Sequence, residues 1–111
     1  MADRSTLTRG EIWLYRFARP DKRRPVVVLT RDDVIPLLDT VMVAPVTSTI
    51  AGAPSEVVVG VDEGLKHPSA VNLDHVQTVM KQRLVRYVGR LPPAKLRDIC
   101  RALAVAAGCA E

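Results

Sequence analysis

The stretch DKRRPVVVLT, residues 21–30, decides the fold, because three cations and a proline lead directly into an unbroken run of apolar β-formers. Apolar residues without polar alternation are typical of a strand that is covered on both faces. Pro25 fixes the backbone where this run begins. We therefore predict a buried strand that holds Lys22, Arg23 and Arg24 at its rim.

Five further runs read as strands, since each is short, rich in β-branched or aromatic residues and bounded by Pro, Gly, Asp or Ser. They are GEIWLYRF (10–17), TVMVAPVT (40–47), SEVVVGV (55–61), SAVNL (69–73) and VRYVGRL (85–91). In the last run Val85, Tyr87 and Leu91 alternate with Arg86 and Arg90, so we expect the first three to meet the core.

The segment PPAKLRDICRALAVAAG (92–108) predicts an amphipathic helix. Pro93 suits its first turn and Gly108 its C-terminal cap. The expected apolar stripe comprises Leu96, Ile99, Cys100, Leu103, Ala104 and Ala107. Short strands followed by one helix indicate a mainly β (α+β) fold: a bent antiparallel sheet or half-open barrel with a helix packed on it. With 111 residues, we expect a single domain spanning 1–111.

Charge favours a polyanionic partner, since 16 Lys and Arg oppose 12 Asp and Glu, giving a net charge of +4. The cations form two clusters. One comprises Arg16, Arg19, Lys22, Arg23 and Arg24; the other comprises Lys81, Arg83, Arg86 and Arg90. Strands that are apolar on both faces in so short a chain also suggest that a homodimer covers part of the surface.

Several familiar function classes lack their motifs: a Gly-rich phosphate loop, a Gly-x-Ser-x-Gly elbow and a metal-ligand spacing are all missing from the sequence. Cys100 and Cys109 are interpreted as small reduced thiols, buried in the helix. We expect no metal or other cofactor. No run is long and apolar enough for a membrane span, and the N-terminus does not resemble a signal peptide, so we expect no membrane contact and a cytoplasmic location.

Polar residues at strand ends are the candidates for chemistry. Thr47, Ser48 and Thr49 follow one apolar strand, where local turn hydrogen bonds are the commoner role. Asp74, His75 and Gln77 lie in a polar segment after another predicted strand. For His75 a structural hydrogen bond is as reasonable as a functional role. His67, next to Pro68, is expected to be exposed and without a role.

In order, the segments RGEIWLYRF, RRPVVVLTRD, VMVAPVTSTI, SEVVVGVDEGL, SAVNLDHVQTVMKQRL and VGRLPPAKLRDICRAL resemble the MazF/PemK family of toxin–antitoxin endoribonucleases. The resemblance covers residues 9 to 107. It implies an SH3-like small β-barrel of the MazF and CcdB toxin type with a C-terminal amphipathic helix. It also implies a homodimer that cuts single-stranded RNA at specific sequences without a metal, and a cognate acidic antitoxin.

Carried over by motif, the resemblance implies that Arg24 and Thr47 are catalytic. The RNA-binding positions it implies are Lys22, Arg23, Ser48, Thr49, Asp74, His75 and Gln77. Two alternatives stay open: a non-catalytic toxin of the same barrel class that poisons gyrase, and a module that binds nucleic acid without cutting it.

Overall fold

The computed structural model describes residues 7–17 and 22–109 of the chain. It contains seven strands: β1 (Glu11–Arg16), β2 (Arg23–Val28), β3 (Thr40–Thr47), β4 (Glu56–Val59), β5 (Ser69–Asn72), β6 (Gln77–Met80) and β7 (Leu84–Arg90). One helix follows, α1 (Pro93–Ala106). Single 3₁₀ turns span Ile35–Leu37, Val61–Glu63, Leu73–His75 and Lys81–Arg83. The prediction that the N-terminus is not a signal peptide concerns residues 1–6 in part, and these residues lie outside the described ones. Arg19 and Asp21 also lie outside the described residues.

All the strands pair antiparallel, in the order β4-β5-β3-β2-β1-β7. The remaining strand, β6, pairs with the first half of β3, from Thr40 to Val43, whereas β5 pairs with its end at Val46 and Thr47. One edge of β3 therefore passes from one partner to another, which bends the sheet. Among the described residues, the strand order ends at β4 on one side and at β7 on the other, so the sheet is not closed. This confirms the predicted antiparallel sheet with a terminal helix, in its half-open form.

Both faces of the central strands are covered. Val26, Val27 and Val28 are each fully buried, which confirms the prediction made from their unbroken apolar run. One core cluster, which includes Ile12, Val27, Ala44, Val46, Val71, Ile99 and Ala102, lies between the sheet and α1. The other includes Trp13, Val26, Val28, Ile35, Val41, Val43, Val79 and Leu84, on the opposite face.

The helix begins and ends where the sequence predicted, but only part of the predicted apolar stripe is buried. Gly108, at φ +75°, closes it: the Gly108 and Cys109 amides donate to the Val105 and Ala104 carbonyls, as in a Schellman motif. Ile99 and Ala102 are buried, with Leu96, Leu103 and Ala106 packed beside them. The buried-thiol interpretation was wrong, because Cys100 lies off this stripe and Cys109 beyond the helix end, and both are exposed.

Two predictions about the last strands need correction. The sequence reading missed β6, in which Val79 alone is buried. In β7 the expected alternation fails because the register against β1 skips Val88 and then Val85. These bulges leave Tyr87 exposed, with its ring edge-on to Trp13 at 5.9 Å between centroids. Arg86 and Arg90 are exposed, as predicted.

A tight turn packs against the bulged strand β7. The Gly60 amide donates to Glu63 Oε1 at 2.7 Å, and Gly64 adopts φ +100°, a conformation that favours glycine. The Glu63 carbonyl lies so close to Gly89 that a β-carbon there would overlap the carbonyl oxygen. The glycine at 89 is therefore what allows residues 60–65 to lie on β7.

Gly89→Ala should lower the free energy of unfolding by about 2–3 kcal/mol, since the clash is with backbone that cannot swing aside. Gly60→Ala is the matched control, because its β-carbon would make only an ordinary 3.6 Å contact with Pro68. Both changes alter the unfolded chain alike. Denaturant unfolding at one fixed protein concentration measures the difference, and equal stabilities of the two variants would contradict this packing.

Candidate nucleic-acid cleft

A cleft of about 720 Å³ opens where β2 begins and β3 ends. It is lined by Leu14, Lys22, Arg23, Arg24, Pro25, Val46, Ser48, Gly64, Leu65, Lys66, His67, Ser69, Arg86, Tyr87 and Val88. These residues come from β1, β2, β3, β5, β7 and the turn before β5, together with Lys22 just before β2 and Ser48 just after β3. The bend of the sheet is what brings segments so distant in sequence around one space.

The floor of the cleft is apolar. Leu14 pairs with Pro25 on one side and with Arg86 on the other, so these three residues point to the same face of the sheet. Val46, on β3, completes the floor from the next strand. A flat apolar surface of this kind suits the face of a nucleobase.

The walls of the cleft are cationic. They carry Lys22, Arg23, Arg24, Lys66 and Arg86, and no Asp or Glu is found among the described lining residues. None of these five cations forms an ion pair with another residue in the described ranges; the ion pairs there join Arg31 to Asp33 and Arg101 to Asp98. Unpaired cations around a low-dielectric floor concentrate positive potential, which attracts a polyanion.

The two residues predicted to be catalytic belong to one row across the sheet. Tyr15 pairs with Arg24, and continuing the β2–β3 register two residues beyond its last pair, Val26–Pro45, reaches Arg24 and Thr47. Arg24 is exposed and lines the cleft, whereas Thr47 is half-buried and is not among the lining residues; the row of Arg24 and Thr47 faces the side of the sheet opposite to the Leu14–Pro25 row of the floor. The Thr47 hydroxyl accepts a hydrogen bond from the Thr49 amide at 3.2 Å. The next residue, Ser48, points into the cleft from the adjacent row, alongside Arg23.

The other predicted positions lie outside the cleft lining. Asp74 accepts a hydrogen bond from the Ser55 hydroxyl at 2.6 Å, while its amide donates to Asn72. His75 ends a 3₁₀ turn and is exposed. Gln77 pairs with Val43 on the face of the sheet that also carries Thr47 and Arg24. The structure thus brings Lys22, Arg23, Arg24 and Ser48 together in the lining, and leaves Thr47, Thr49, Asp74, His75 and Gln77 outside it.

Sequence reasoning missed one wall. Lys66, His67 and Ser69 come from the segment that follows the turn at residues 60–65, and that turn rests on β7 through Gly89. The Gly and Pro around Lys66 and His67 indicated a loop, but no sequence pattern shows that this loop packs on β7. Of the second basic cluster, only Arg86 reaches the cleft: Arg83 donates to the Arg16 carbonyl and Lys81 to that of Ile35.

Two further observations concern metal binding and membrane-spanning helices. In residues 7–17 and 22–109, no three His, Cys, Asp or Glu side chains are grouped so that they could hold a metal ion. Nor does this part of the chain contain a helix that is both long and apolar enough to cross a bilayer.

Comparisons with known proteins agree with this architecture. Residues 8–107 match the family described as PemK-like, MazF-like toxin of type II toxin-antitoxin system. The chain is 49% identical over 105 residues to the probable endoribonuclease MazF5 of Mycobacterium tuberculosis, covering 93% of this chain and 94% of that protein. Among solved structures, the M. tuberculosis toxin MazF-mt6 is similar at a TM-score of 0.81 and 37% identity, with 88% of this chain and 96% of that one covered.

A second solved structure, a mycobacterial endoribonuclease in complex with its cognate antitoxin, is similar at a TM-score of 0.82 and 25% identity. It covers 92% of this chain and 95% of the other. Because the family match spans nearly the whole described chain and the identity to a curated relative is high over the full length of both, this chain belongs to the PemK-like, MazF-like family of type II toxin–antitoxin toxins.

Proposed function

We propose that this chain is a sequence-specific, metal-independent endoribonuclease that cuts single-stranded RNA as the toxin of a toxin–antitoxin pair. The observation that supports this most directly is the cleft, whose apolar floor and five cations, none of them in an ion pair with a described residue, suit a nucleobase and its flanking phosphates. Arg24 lines that cleft at a strand end, and Thr47 directly precedes Ser48, which also lines it. The names of its relatives as endoribonucleases support the same activity.

The reaction begins with the RNA's own 2′-OH, which attacks the adjacent phosphorus and expels the 5′-oxygen. The products are a 2′,3′-cyclic phosphate and a 5′-hydroxyl. Charge builds on the non-bridging oxygens in the transition state, and a guanidinium can meet two of them in a fork. Arg24 takes this role, since Pro25 fixes the backbone beside it. Thr47, opposite Arg24 in the sheet, orients the phosphate or the 2′-OH through its hydroxyl.

Arg24 stabilises charge and does not transfer a proton. Arginine stays protonated in proteins, so it cannot serve as an ordinary base. A separate group must therefore accept the proton of the 2′-OH.

Binding is divided between phosphate contacts and base contacts. Lys22 and Arg23 hold neighbouring phosphates, which gives an affinity that falls as salt rises and carries no sequence preference. Sequence is read by polar side chains in the cleft and on the surface beyond it, through hydrogen bonds to base edges. These are Ser48, Thr49, Asp74, His75 and Gln77.

The cleft also suits an antitoxin. An acidic, extended segment would pair with the same cations and exclude RNA, and charge complementarity of this kind favours fast association. The similar mycobacterial endoribonuclease was solved with its cognate antitoxin. We therefore propose an acidic antitoxin of the MazE type as the partner that silences this chain.

An exposed apolar patch supports a homodimer. Leu37 and Leu38 are 75% and 48% exposed, and they precede Thr40, which pairs with Met80, itself 40% exposed. Side chains of this size gathered on one surface are usually covered by another chain. A second copy of this chain is the occupant we propose, in a cytoplasmic dimer of single-domain subunits covering residues 1–111.

A gel assay with purified protein and a mixed-sequence RNA tests the function. We expect discrete fragments whose 5′ ends share a short sequence, with no change in excess EDTA, because no bound ion takes part in the proposed steps. A retarded but intact RNA would instead indicate a binding module. An RNA that is neither bound nor cut would favour a toxin that acts on a protein.

A further inference from the structure

His67, which the sequence suggested to be without a role, forms part of the wall of the cleft that also contains Arg24. Its ring Nδ1 lies 3.2 Å from the Pro68 carbonyl oxygen. Because a carbonyl oxygen can only accept, this contact is a hydrogen bond in the tautomer that carries the hydrogen on Nδ1; the Ser69 Oγ atom also lies 3.5 Å from Nδ1. In the neutral ring this tautomer places the lone pair on Nε2. Within the described residues Nε2 has no hydrogen-bond partner.

The local backbone holds His67 in place. The Ser69 hydroxyl donates to the His67 carbonyl at 3.1 Å, and Ser69 is buried at the start of β5. The preceding turn is fixed on β7 by the close approach of Glu63 to Gly89. The ring is thus carried by a short segment that is anchored on both sides.

The chemistry of the cleft requires a proton acceptor that the other lining residues do not supply. Apart from His67, the polar side chains there are arginines, lysines, serines and a tyrosine. Near neutral pH these are charged donors or weakly acidic hydroxyls, whereas a neutral imidazole accepts a proton readily. Outside the lining, Asp74 is bonded to Ser55 and His75 lies elsewhere on the surface.

We propose that His67 is a further catalytic residue, the general base of the cleavage reaction; this rests on the proposed ribonuclease function. Nε2 accepts the proton of the attacking 2′-OH as the 2′-oxygen forms its bond to phosphorus. The bond from phosphorus to the 5′-oxygen breaks, and the leaving oxygen takes a proton from water. The imidazolium then returns its proton to solvent, so that no other reactant is consumed.

Several titratable side chains line the same cleft as His67. Lys22, Arg23 and Arg24 do so from the start of β2, Arg86 and Tyr87 from β7, and Lys66 from its own segment. The uncharged Ser48 and Ser69 complete the polar lining.

The test compares His67→Ala and His67→Gln with the control Arg97→Ala, which removes an exposed side chain of α1 outside the cleft lining. Cleavage is measured with a cuttable RNA under single-turnover conditions. Binding is measured separately with the same RNA carrying a 2′-deoxy nucleotide just before the cut. We expect both His67 variants to cut about 10²- to 10³-fold more slowly, with binding changed less than about twofold, while Arg97→Ala keeps the wild-type rate of cleavage.

Two readouts separate proton transfer from a structural role. The wild-type rate should fall as the medium is made acidic and the base becomes protonated, and the His67 variants should lose that dependence. Added imidazole should restore part of the rate of His67→Ala. Thermal melting verifies that the variants fold.

Each outcome bears on the inference. Wild-type cleavage by His67→Ala would overturn it, as would a binding loss as large as the rate loss or an unchanged acidic limb of the pH profile. If the wild-type chain itself cuts no RNA, the proposed function fails and the inference with it. The wild-type arm therefore distinguishes the two failures.

Discussion

Arg24→Ala should lower the single-turnover rate of RNA cleavage by about 10³- to 10⁵-fold, while the protein stays folded. The size of the effect follows from the removal of a guanidinium aimed at developing phosphoryl charge, as with other catalytic arginines. Stability should change little, because Arg24 is exposed and forms no ion pair with the described residues. Rapid-quench cleavage assays and a melting curve measure the two quantities.

Two comparison variants make the result specific. Arg23→Ala removes a neighbouring exposed cation, and we expect it to weaken RNA binding with a much smaller effect on the chemical step. Arg24→Lys keeps the charge but loses the fork, so it should restore only part of the rate. Arg24→Ala that cleaves at the wild-type rate would show that the site is misplaced.

Thr47→Ala should lose less activity than Arg24→Ala. In the proposed reaction its hydroxyl orients a reacting group and does not carry the neutralising charge. The hydroxyl also accepts the Thr49 amide, so part of any loss will come from the strand end itself. A loss as large as that of Arg24→Ala would indicate a more direct role for Thr47.

The central strands could be predicted from the sequence because burial on both faces leaves a local signature. Val26, Val27 and Val28 have no polar neighbour to interrupt them, and each is fully buried. The helix ends were predictable for a similar reason, since Pro93 and Gly108 act through their own backbone geometry. Signals of this kind depend on a few adjacent residues.

Features that depend on the partner strand could not be predicted. The bulges at Val85 and Val88 exist only relative to β1, so the alternation within β7 gave the wrong face for Tyr87. Strand β6 was not predicted because it contains a single buried residue, Val79, and one buried residue does not give the apolar alternation that indicates a strand.

In the candidate site, too, the residues at strand ends could be predicted, whereas those brought in by contacts between distant segments could not. Arg23, Arg24 and Ser48 lie at strand ends that the sequence identified, and they meet in the cleft. His67 and Lys66 join them only because a turn rests on Gly89, a contact between residues about 25 positions apart. A lining that depends on such contacts can be identified in the structure but cannot be predicted from any single segment of the sequence.

The strongest expected effect comes from the substrate. Replacing the nucleotide just before the cut with its 2′-deoxy form should abolish cleavage at that position, because the attacking oxygen is then missing. Binding should persist, since phosphates and bases remain for the cationic walls and the apolar floor to hold. A fluorescence binding assay and a cleavage assay on the same oligonucleotide measure the two separately.

The ends of the products test the same step independently. Attack by the 2′-OH leaves a 2′,3′-cyclic phosphate and a 5′-hydroxyl, so that polynucleotide kinase should label the downstream fragment without prior phosphatase treatment. Attack by water would leave neither a cyclic phosphate nor a dependence on the 2′-OH. An oligonucleotide with a 2′-deoxy sugar elsewhere in the recognition sequence is the control, and it should be cut. If the deoxy substrate is cut as fast as RNA, the 2′-OH is not the nucleophile, and the roles given to Arg24, Thr47 and His67 all fall together.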